Sequence, residues 1–258
     1  GSRPLCGCQI WRSIHKTWEY SGEIMSIIAI TSNHLRHINF LKRLKEKVNV
    51  LYVLVVTKVE GPQSFMKAER KFFSDYSGWL DRIHPVFISP EQLHSRRIIE
   101  MVKSFQPEIC FVFGAPLLKE EIYNIPSKGC VNIHTGLVQH HRGVDSPYWA
   151  LYENRPETIG ATLHYIDSSI DGGEIIAQKN TQDLNINDSP EEIFMKTCIT
   201  GFNLLEENVY NVVSGQAPRV PLNKKGRLYQ SKDMNSDIMG EIKSRTPELL
   251  KGFLNGNN

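Results

Sequence analysis

Ile109-Cys110-Phe111-Val112-Phe113 decides the fold class, because every position in this stretch is apolar. A strand without polar alternation is typical of the centre of a parallel sheet, where helices cover both faces. Gly114, Ala115 and Pro116 follow directly and predict that the strand ends there. We therefore expect a buried parallel strand at 109–113 whose carboxyl end opens into a loop.

Strands and helices alternate on the N-terminal side of this strand. The predicted elements are strands at 25–31, 50–56 and 85–88, and helices at about 34–47, around 67–73 and after residue 88. The last of these helices is expected to open at Ser89-Pro90-Glu91-Gln92, which has the spacing of a capping box. Alternation of this kind indicates an α/β fold with a Rossmann-like parallel sheet.

The C-terminal side has a less regular pattern. The predicted elements are strands at 131–134, 159–166 and 174–179, a helix at about 148–154, and a long helix that Ser189-Pro190-Glu191-Glu192 opens and Gly215 ends. Together with the first half, these elements predict one main domain over residues 25–215.

Two segments flank this domain. Residues 1–24 show no clear hydrophobic period and are interpreted as an N-terminal extension or an artefact of cloning or of the start site. Residues 216–258 are rich in turn residues and include the basic cluster Lys224-Lys225-Gly226-Arg227, so we expect a small C-terminal extension that binds substrate.

Composition describes an ordinary globular chain. Of its 258 residues 40% are hydrophobic and 22% are charged, and the net charge of +2 gives no support for nucleic-acid binding. No apolar run has the length of a membrane span. The five cysteines, an odd number, fit neither a disulfide framework nor a zinc motif, Cys6 and Cys8 included. We expect reduced thiols, a cytoplasmic location, no membrane partner and no metal site.

Polar residues that suit catalysis follow two of the predicted strands. Asn132 and His134 alternate along one strand, so both side chains lie on the same face at its carboxyl end, where open α/β sheets bind ligands. Asp171 precedes Gly172-Gly173 between two later strands. Each motif alone also has a structural interpretation: an Asn-x-His tripeptide often satisfies local backbone groups, and Asp-Gly-Gly is a good turn.

Taken in order, the motifs from Phe111 to Ile176 resemble the catalytic core of the folate-dependent formyltransferases. That family includes methionyl-tRNA formyltransferase, glycinamide ribonucleotide transformylase and the sugar N-formyltransferases. The matching segments are Gly114, Pro116-Leu117-Leu118, Val131-Asn132-Ile133-His134, His140-His141-Arg142-Gly143 and Ile170-Asp171-Gly172-Gly173-Glu174-Ile175-Ile176. The chain departs from the family at Thr135-Gly136-Leu137-Val138-Gln139, where many members read Pro-Ser-Leu-Leu-Pro. The change removes prolines from a loop but no catalytic group.

The resemblance implies a Rossmann-like formyltransferase fold, a mostly parallel sheet with an antiparallel edge, and N10-formyltetrahydrofolate as co-substrate. It also implies that Asn132 binds the oxyanion, that His134 takes the amine proton or helps to bind the oxyanion, and that Asp171 orients His134 and relays the proton. The residues expected to contact the folate are Gly114, Pro116, Leu117, Leu118, Ile166, Asp167 and Ile170.

Two features that the chain lacks narrow the choice of acceptor amine. Fewer residues follow the long helix than the tRNA-binding domain of methionyl-tRNA formyltransferase needs, and Thr31-Ser32-Asn33-His34-Leu35-Arg36 contains no phosphate-loop glycine of the ribonucleotide enzymes. Segments 142–151 and 226–232 resemble the sugar branch. We therefore expect a nucleotide-diphosphate-linked amino deoxysugar, such as perosamine or a 3- or 4-amino-6-deoxy sugar, for surface polysaccharide or O-antigen (lipopolysaccharide) synthesis.

The residues expected to bind this nucleotide sugar are Arg142, Tyr148, Arg227 and Tyr229. Relatives in the sugar branch are often dimers, so a homodimer is expected. Three alternatives stay open: a methionyl-tRNA-type formyltransferase, a formyltetrahydrofolate hydrolase with water as acceptor, and a non-catalytic protein that binds folate or a nucleotide sugar.

Overall fold

The structure is a computed structural model that describes residues 19–20, 23–58 and 60–256. Most of the predicted N-terminal extension, with Cys6 and Cys8, lies outside the described residues. The strands, numbered along the chain, are β1 Glu19–Tyr20, β2 Glu23–Ile24, β3 Ile27–Ser32, β4 Val50–Val56, β5 Val86–Ile88, β6 Ile109–Val112, β7 Cys130–His134, β8 His141–Gly143, β9 Gly160–Tyr165, β10 Ile175–Asn180 and β11 Arg227–Tyr229. The α-helices are α1 Leu35–Lys47, α2 Gln63–Phe72, α3 Ser77–Leu80, α4 Arg96–Ser104, α5 Glu120–Tyr123, α6 Ser146–Tyr152, α7 Pro190–Ser214 and α8 Ser236–Gly256.

A seven-stranded sheet forms the centre of the fold, in the spatial order β10-β9-β7-β6-β3-β4-β5. The five strands from β7 to β5 are parallel, whereas β9 runs antiparallel to both β7 and β10. The predicted α/β class, the parallel sheet and its antiparallel edge are all confirmed. Strand β6 lies between β3 and β7, in the interior of the sheet. Helices pack on both faces of the sheet there, so the apolar residues of β6 are buried and Phe111 is 1% exposed.

Helices form a layer on each face of the sheet. Side chains of α1, α2 and α7 pack on one face with Ala29, and side chains of α4 and α5 pack on the other with Ile28 and Ile30. This follows from the alternation of side chains along β3. The largest buried side chains include Phe40, Phe111 and Phe202, each of which stabilises the fold by about 1.5–3 kcal/mol through burial.

The helix predicted after residue 88 begins differently from the sequence-based prediction. The capping box at Ser89 closes on Gln92, but it opens only a 3-10 turn over Pro90–Gln92. The chain then turns again, and α4 begins at Arg96 with Ser95 as its N-cap. The predicted helix is therefore present, but two short turns precede it and it begins later than the motif predicted.

The C-terminal segment is more ordered than its turn-rich sequence indicates. Strand β11 pairs in parallel with β8, and α8 packs against α6 through Ile242 and Leu250. Pro247 lies inside α8, which is one reason why a helix was not predicted here. Among the described residues, none of the helices combines the length and apolar character that crossing a bilayer requires.

Candidate active site

A cavity of about 490 Å³ opens at the carboxyl ends of β6 and β7. This is the edge at which open α/β sheets bind their ligands, and the volume suits a small molecule. Asn132 and His134 of β7 both line the cavity, together with Asp171 from the turn between β9 and β10. The structure thus brings the three residues of the predicted catalytic trio to one place.

Asp171 is held beside His134 by its backbone and by a hydrogen bond. Its φ of 47° is left-handed, a conformation that Asp tolerates better than most residues. Oδ2 accepts a hydrogen bond from the Gly143 N–H at 2.8 Å and lies 3.3 Å from Nδ1 of His134. The carboxylate is therefore fixed against the imidazole rather than turned towards bulk water.

The hydrogen bonds of His134 determine which ring nitrogen titrates. Nε2 lies 3.0 Å from the carbonyl oxygen of His141, and because a carbonyl only accepts, Nε2 carries a hydrogen. Ser146 Oγ lies 3.1 Å from the same nitrogen. This assignment rests on hydrogen-bond geometry. It leaves Nδ1, the nitrogen that faces Asp171, to gain and lose a proton.

Burial and charge act in opposite directions on this pair. Burial lowers the pKa of His134, and the negative charge of Asp171 only partly opposes this effect. Burial alone would raise the pKa of Asp171, but the neighbouring His134, the neighbouring His164 and the N–H of Gly143 together hold it well below its usual range. The resting site therefore holds a neutral imidazole beside a carboxylate, so Nδ1 is free to accept a proton that Asp171 would stabilise.

His164 is a part of the site that the sequence did not predict. It stands opposite Asn132 in the β7–β9 ladder, and its Nδ1 donates to the carbonyl of Tyr165 at 2.8 Å. Its Nε2 lies 3.2 Å from Nδ2 of Asn132 and 3.5 Å from Oδ1 of Asp171. The ring of His164 therefore lies between the amide of Asn132 and the carboxylate of Asp171. Finding it from sequence requires the register between β7 and β9.

Comparison with known proteins identifies the family. A family model described as formyl transferase matches residues 23–208, well over half of the chain. The chain belongs to the formyl transferase family. The three converging side chains all lie within the matched part, whereas β11 and α8 follow it.

Individual relatives include members of at least two branches of the formyl transferase family. Methionyl-tRNA formyltransferase of Desulforamulus reducens is 29% identical over 143 residues, which is 55% of this chain but only 44% of that protein. A sugar N-formyltransferase from Shewanella sp. FDAARGOS_354 superposes with a TM-score of 0.63 at 18% identity, covering 86% of this chain and 88% of the other. The N-formyltransferase of Helicobacter canadensis, solved with folinic acid and dTDP-3-aminofucose, gives 0.60 at 17% identity, covering 86% and 81%. At these identities the two structures share the fold.

The residues expected to contact folate in this formyl transferase surround one side of the cavity. All seven line it: Gly114, Pro116, Leu117, Leu118, Ile166, Asp167 and Ile170. Gly114 has a φ of 67°, and a Cβ there would lie 2.1 Å from Nε2 of His37, so glycine is required on two grounds. Leu117 is 63% exposed, which leaves an apolar surface at the mouth of the cavity.

Most of the residues expected to bind the acceptor lie outside the cavity lining. Of Arg142, Tyr148, Arg227 and Tyr229, only Tyr229 lines the cavity. Its hydroxyl donates to Glu153 and its ring stacks on Trp149 at 4.0 Å, so the hydroxyl is already used within the protein. Arg142 donates to the carbonyls of Gly226 and Ile170, both at 2.9 Å.

Tyr148 and Arg227 also lie away from the cavity lining. Tyr148 is 5% exposed and packs against Phe194, with ring centroids 5.5 Å apart. Arg227 lies over the ring of Tyr229 on the exposed side of β11. These arginines and tyrosines hold the C-terminal segment of this formyl transferase against its core, a role that a motif read from sequence does not reveal.

The low pKa of Asp171 predicts a pH dependence of stability. An Asp in an unfolded chain titrates at about 3.9, above the value in the fold. The carboxylate therefore contributes fully above that pH, and its contribution is lost as the pH falls towards the folded-state pKa. We expect the difference in free energy of unfolding between wild type and Asp171→Asn to shrink as the pH falls from about 5 to about 3. Urea denaturation of both proteins across this range measures it, and a difference that stays constant on acidification would contradict a depressed pKa.

Metal chemistry was not expected at this site. In the part of the chain that the structure describes, no three His, Cys, Asp or Glu side chains are grouped as metal ligands would be. Cys110, Cys130 and Cys198 are buried free thiols.

Proposed function

We propose that the protein transfers the formyl group of N10-formyltetrahydrofolate to the amino group of a nucleotide-diphosphate-linked amino deoxysugar. The observation that carries this proposal is the Asp171 carboxylate 3.3 Å from His134 Nδ1, next to Asn132 in a cavity with an apolar mouth. The reaction would take place in the cytoplasm, in a homodimer, and would supply a formamido sugar for surface polysaccharide.

The chemistry of formyl transfer suits these three groups. When the amine attacks the formyl carbon, the carbonyl oxygen becomes an oxyanion and the nitrogen gains a positive charge. The amide of Asn132 has two N–H groups: one points to His164, and the other is left for the oxyanion. One donor of this kind lowers a barrier by about 3 kcal/mol in other enzymes.

Proton movement falls to the His134–Asp171 pair. Nδ1 of the neutral imidazole takes a proton from the attacking nitrogen, and Asp171 stabilises the imidazolium that forms. The proton then passes to N10 of the folate as the bond between the formyl carbon and N10 breaks. The formamido sugar and tetrahydrofolate leave, and the protein returns to its starting protonation state. General acid–base catalysis of this type contributes about a hundred- to ten-thousand-fold.

Two observations support a sugar acceptor. The sugar N-formyltransferase structures superpose on 86% of this chain, which is more than the family model matches. The net charge of +2 also lacks the basic excess that favours binding to RNA. Methionyl-tRNA remains the second candidate acceptor, because the sequence relatives are methionyl-tRNA formyltransferases.

An acceptor panel tests the proposal. Purified protein with N10-formyltetrahydrofolate is given dTDP- and UDP-linked 3- and 4-amino-6-deoxy sugars, GDP-perosamine, methionyl-tRNA, or no acceptor. We expect tetrahydrofolate to form with at least one amino sugar, together with a formamido product 28 mass units heavier by mass spectrometry. The corresponding hydroxy sugars serve as controls.

The other outcomes separate the alternatives. Equal turnover without any acceptor would indicate a hydrolase, and transfer to methionyl-tRNA alone would indicate the second candidate. Folate binding without turnover of any acceptor would indicate a binding protein and would overturn the proposed activity.

A further inference from the structure

Residues 143–146 contact both members of the His134–Asp171 pair. The first of them, Gly143, donates its N–H to Asp171, and the last, Ser146, places Oγ 3.1 Å from Nε2 of His134. Asp145 lies between these two contacts and lines the same cavity. Neighbouring Cα atoms are about 3.8 Å apart, so Asp145 is one residue from a group that touches the reacting histidine.

The carboxylate of Asp145 has no partner of its own. It makes no capping hydrogen bond to α6, although it stands at the N-cap position, and the described part of the chain provides it with no hydrogen bond or ion pair. Only its backbone carbonyl is used, by the N–H groups of Tyr148 and Trp149. Burial raises the pKa of this carboxyl, and the nearby charge of Arg36 opposes that effect.

Arg36 is the cation whose charge acts on Asp145, but it is bound elsewhere. Its Nη1 lies 2.6 Å from Oε1 of Glu69, and its backbone N–H donates to the same carboxylate. Glu69 is 4% exposed, so this pair is fixed within the core. The charge of Arg36 is therefore already neutralised, and Asp145 presents an uncompensated negative charge to the cavity.

The backbone at Asp145 is also unusual. Its φ of 61° is left-handed in a residue that is not glycine. Such conformations cost about 1–3 kcal/mol and persist where the surrounding structure imposes them, often at ligand-binding sites. Here the bonds of residues 143 and 146 fix both sides of the residue and direct its side chain into the cavity.

From these contacts we infer that Asp145 is the residue that selects an amine-bearing acceptor, by binding its protonated nitrogen within the cavity before transfer. This ammonium group then loses one proton to water, which leaves the neutral amine that attacks the formyl carbon, so the overall reaction releases one proton. This inference rests on the proposed function and adds the group that recognises the acceptor. Asp145 is half-buried, and a partly desolvated carboxylate without a counter-ion gains from a ligand ammonium group, which replaces lost hydration and supplies the missing positive charge. An acceptor with a hydroxyl at the same position offers no charge and binds more weakly.

The experiment compares Asp145→Asn with wild type on matched sugar pairs. Asn keeps the size of Asp and tolerates the left-handed backbone, so only the charge is removed. Asp183→Asn is the control, because Asp183 is exposed and has a φ of 59°. Titration calorimetry with tetrahydrofolate present measures the affinity for dTDP-3-aminofucose and dTDP-fucose, and for the corresponding UDP-linked pair. Steady-state kinetics gives acceptor KM and kcat for whichever amine is turned over.

We expect wild type and Asp183→Asn to bind the amine about ten- to a hundredfold more tightly than the hydroxyl analogue, the range of a charge-assisted hydrogen bond. Asp145→Asn should bind both alike, with acceptor KM raised by a similar factor, kcat within about threefold and folate affinity unchanged. An unchanged preference for the amine in Asp145→Asn, or no preference in wild type, overturns the role of Asp145 while turnover of the amino sugar still supports the proposed function. If Asp145→Asn only lowers Tm, the residue is structural. If no nucleotide sugar binds or reacts, both proposals fall.

Discussion

Replacing His134 with Asn is expected to lower kcat for formyl transfer about a hundred- to ten-thousand-fold, with little change in the affinity for the folate. Nδ1 is the nitrogen of this ring that is left to gain and lose a proton, because Nε2 is held by the carbonyl of His141. Asp171→Asn should show a loss of similar size, since Asn keeps the bond from Gly143 but cannot stabilise an imidazolium. Single-turnover formation of tetrahydrofolate measures both.

The fold is expected to survive both changes, although removal of the buried ring leaves a small void in His134→Asn. Thermal unfolding and binding of tetrahydrofolate confirm that the variants are intact. Asp183→Asn, an exposed carboxylate with the same backbone conformation, should keep full activity. Near-normal turnover in either active-site variant would show that the pair has no part in proton transfer.

Replacing Gly143 with Ala is expected to lower activity at least about 100-fold without touching any catalytic side chain. Gly143 has a φ of 87°, and a Cβ there would lie 2.0 Å from the carbonyl oxygen of Tyr229. The ladder between β8 and β11 must therefore separate, and the N–H that fixes Asp171 moves with it. A displacement of about 1 Å in a catalytic group is enough for a loss of this size.

Gly215→Ala is the matched control for this effect. Gly215 ends α7 with a φ of 75°, and its added Cβ would meet nothing within 4 Å. Both substitutions carry the same left-handed strain, about 1–2 kcal/mol, but only Gly143→Ala adds the clash. Activity and Tm of the two variants separate strain from displacement. Equal losses in both would mean that strain alone explains the effect and that Asp171 does not depend on the ladder.

Much of the fold follows from sequence because its signals are local. The apolar stretch 109–113 predicts a central strand, and β6 occupies that place with Phe111 covered on both faces. The start and end of α7 follow from Ser189 and Gly215. The two failures arose where local and distant effects differ. The Ser89 box caps a 3-10 turn as readily as a helix, and α8 is stabilised by packing on α6 that its own sequence does not display.

The active site likewise combines residues that local sequence patterns predict with residues that only long-range contacts bring together. Alternation alone puts Asn132 and His134 on one face of β7, but nothing local brings Asp171 to them; only family resemblance placed it there. His164 needed the register of two strands separated by 25 residues. Tyr148 matched a motif, yet it faces Phe194 in the core. Which side of a short helix meets the ligand depends on the long-range packing of α7 and α8, which a motif does not contain.

The pairing of β8 with β11 connects the part of the chain that the family model matches with a segment that follows it. The family match ends at residue 208, yet Gly143, which secures the carboxylate, is itself paired with Tyr229. Replacing the C-terminal segment of this chain with that of a relative would therefore also affect the active site. A different C-terminal segment would change the position of Gly143 and so of the Asp171 carboxylate. Chimeras should therefore be joined outside both strands, so that residues 141–143 and 227–229 come from the same protein.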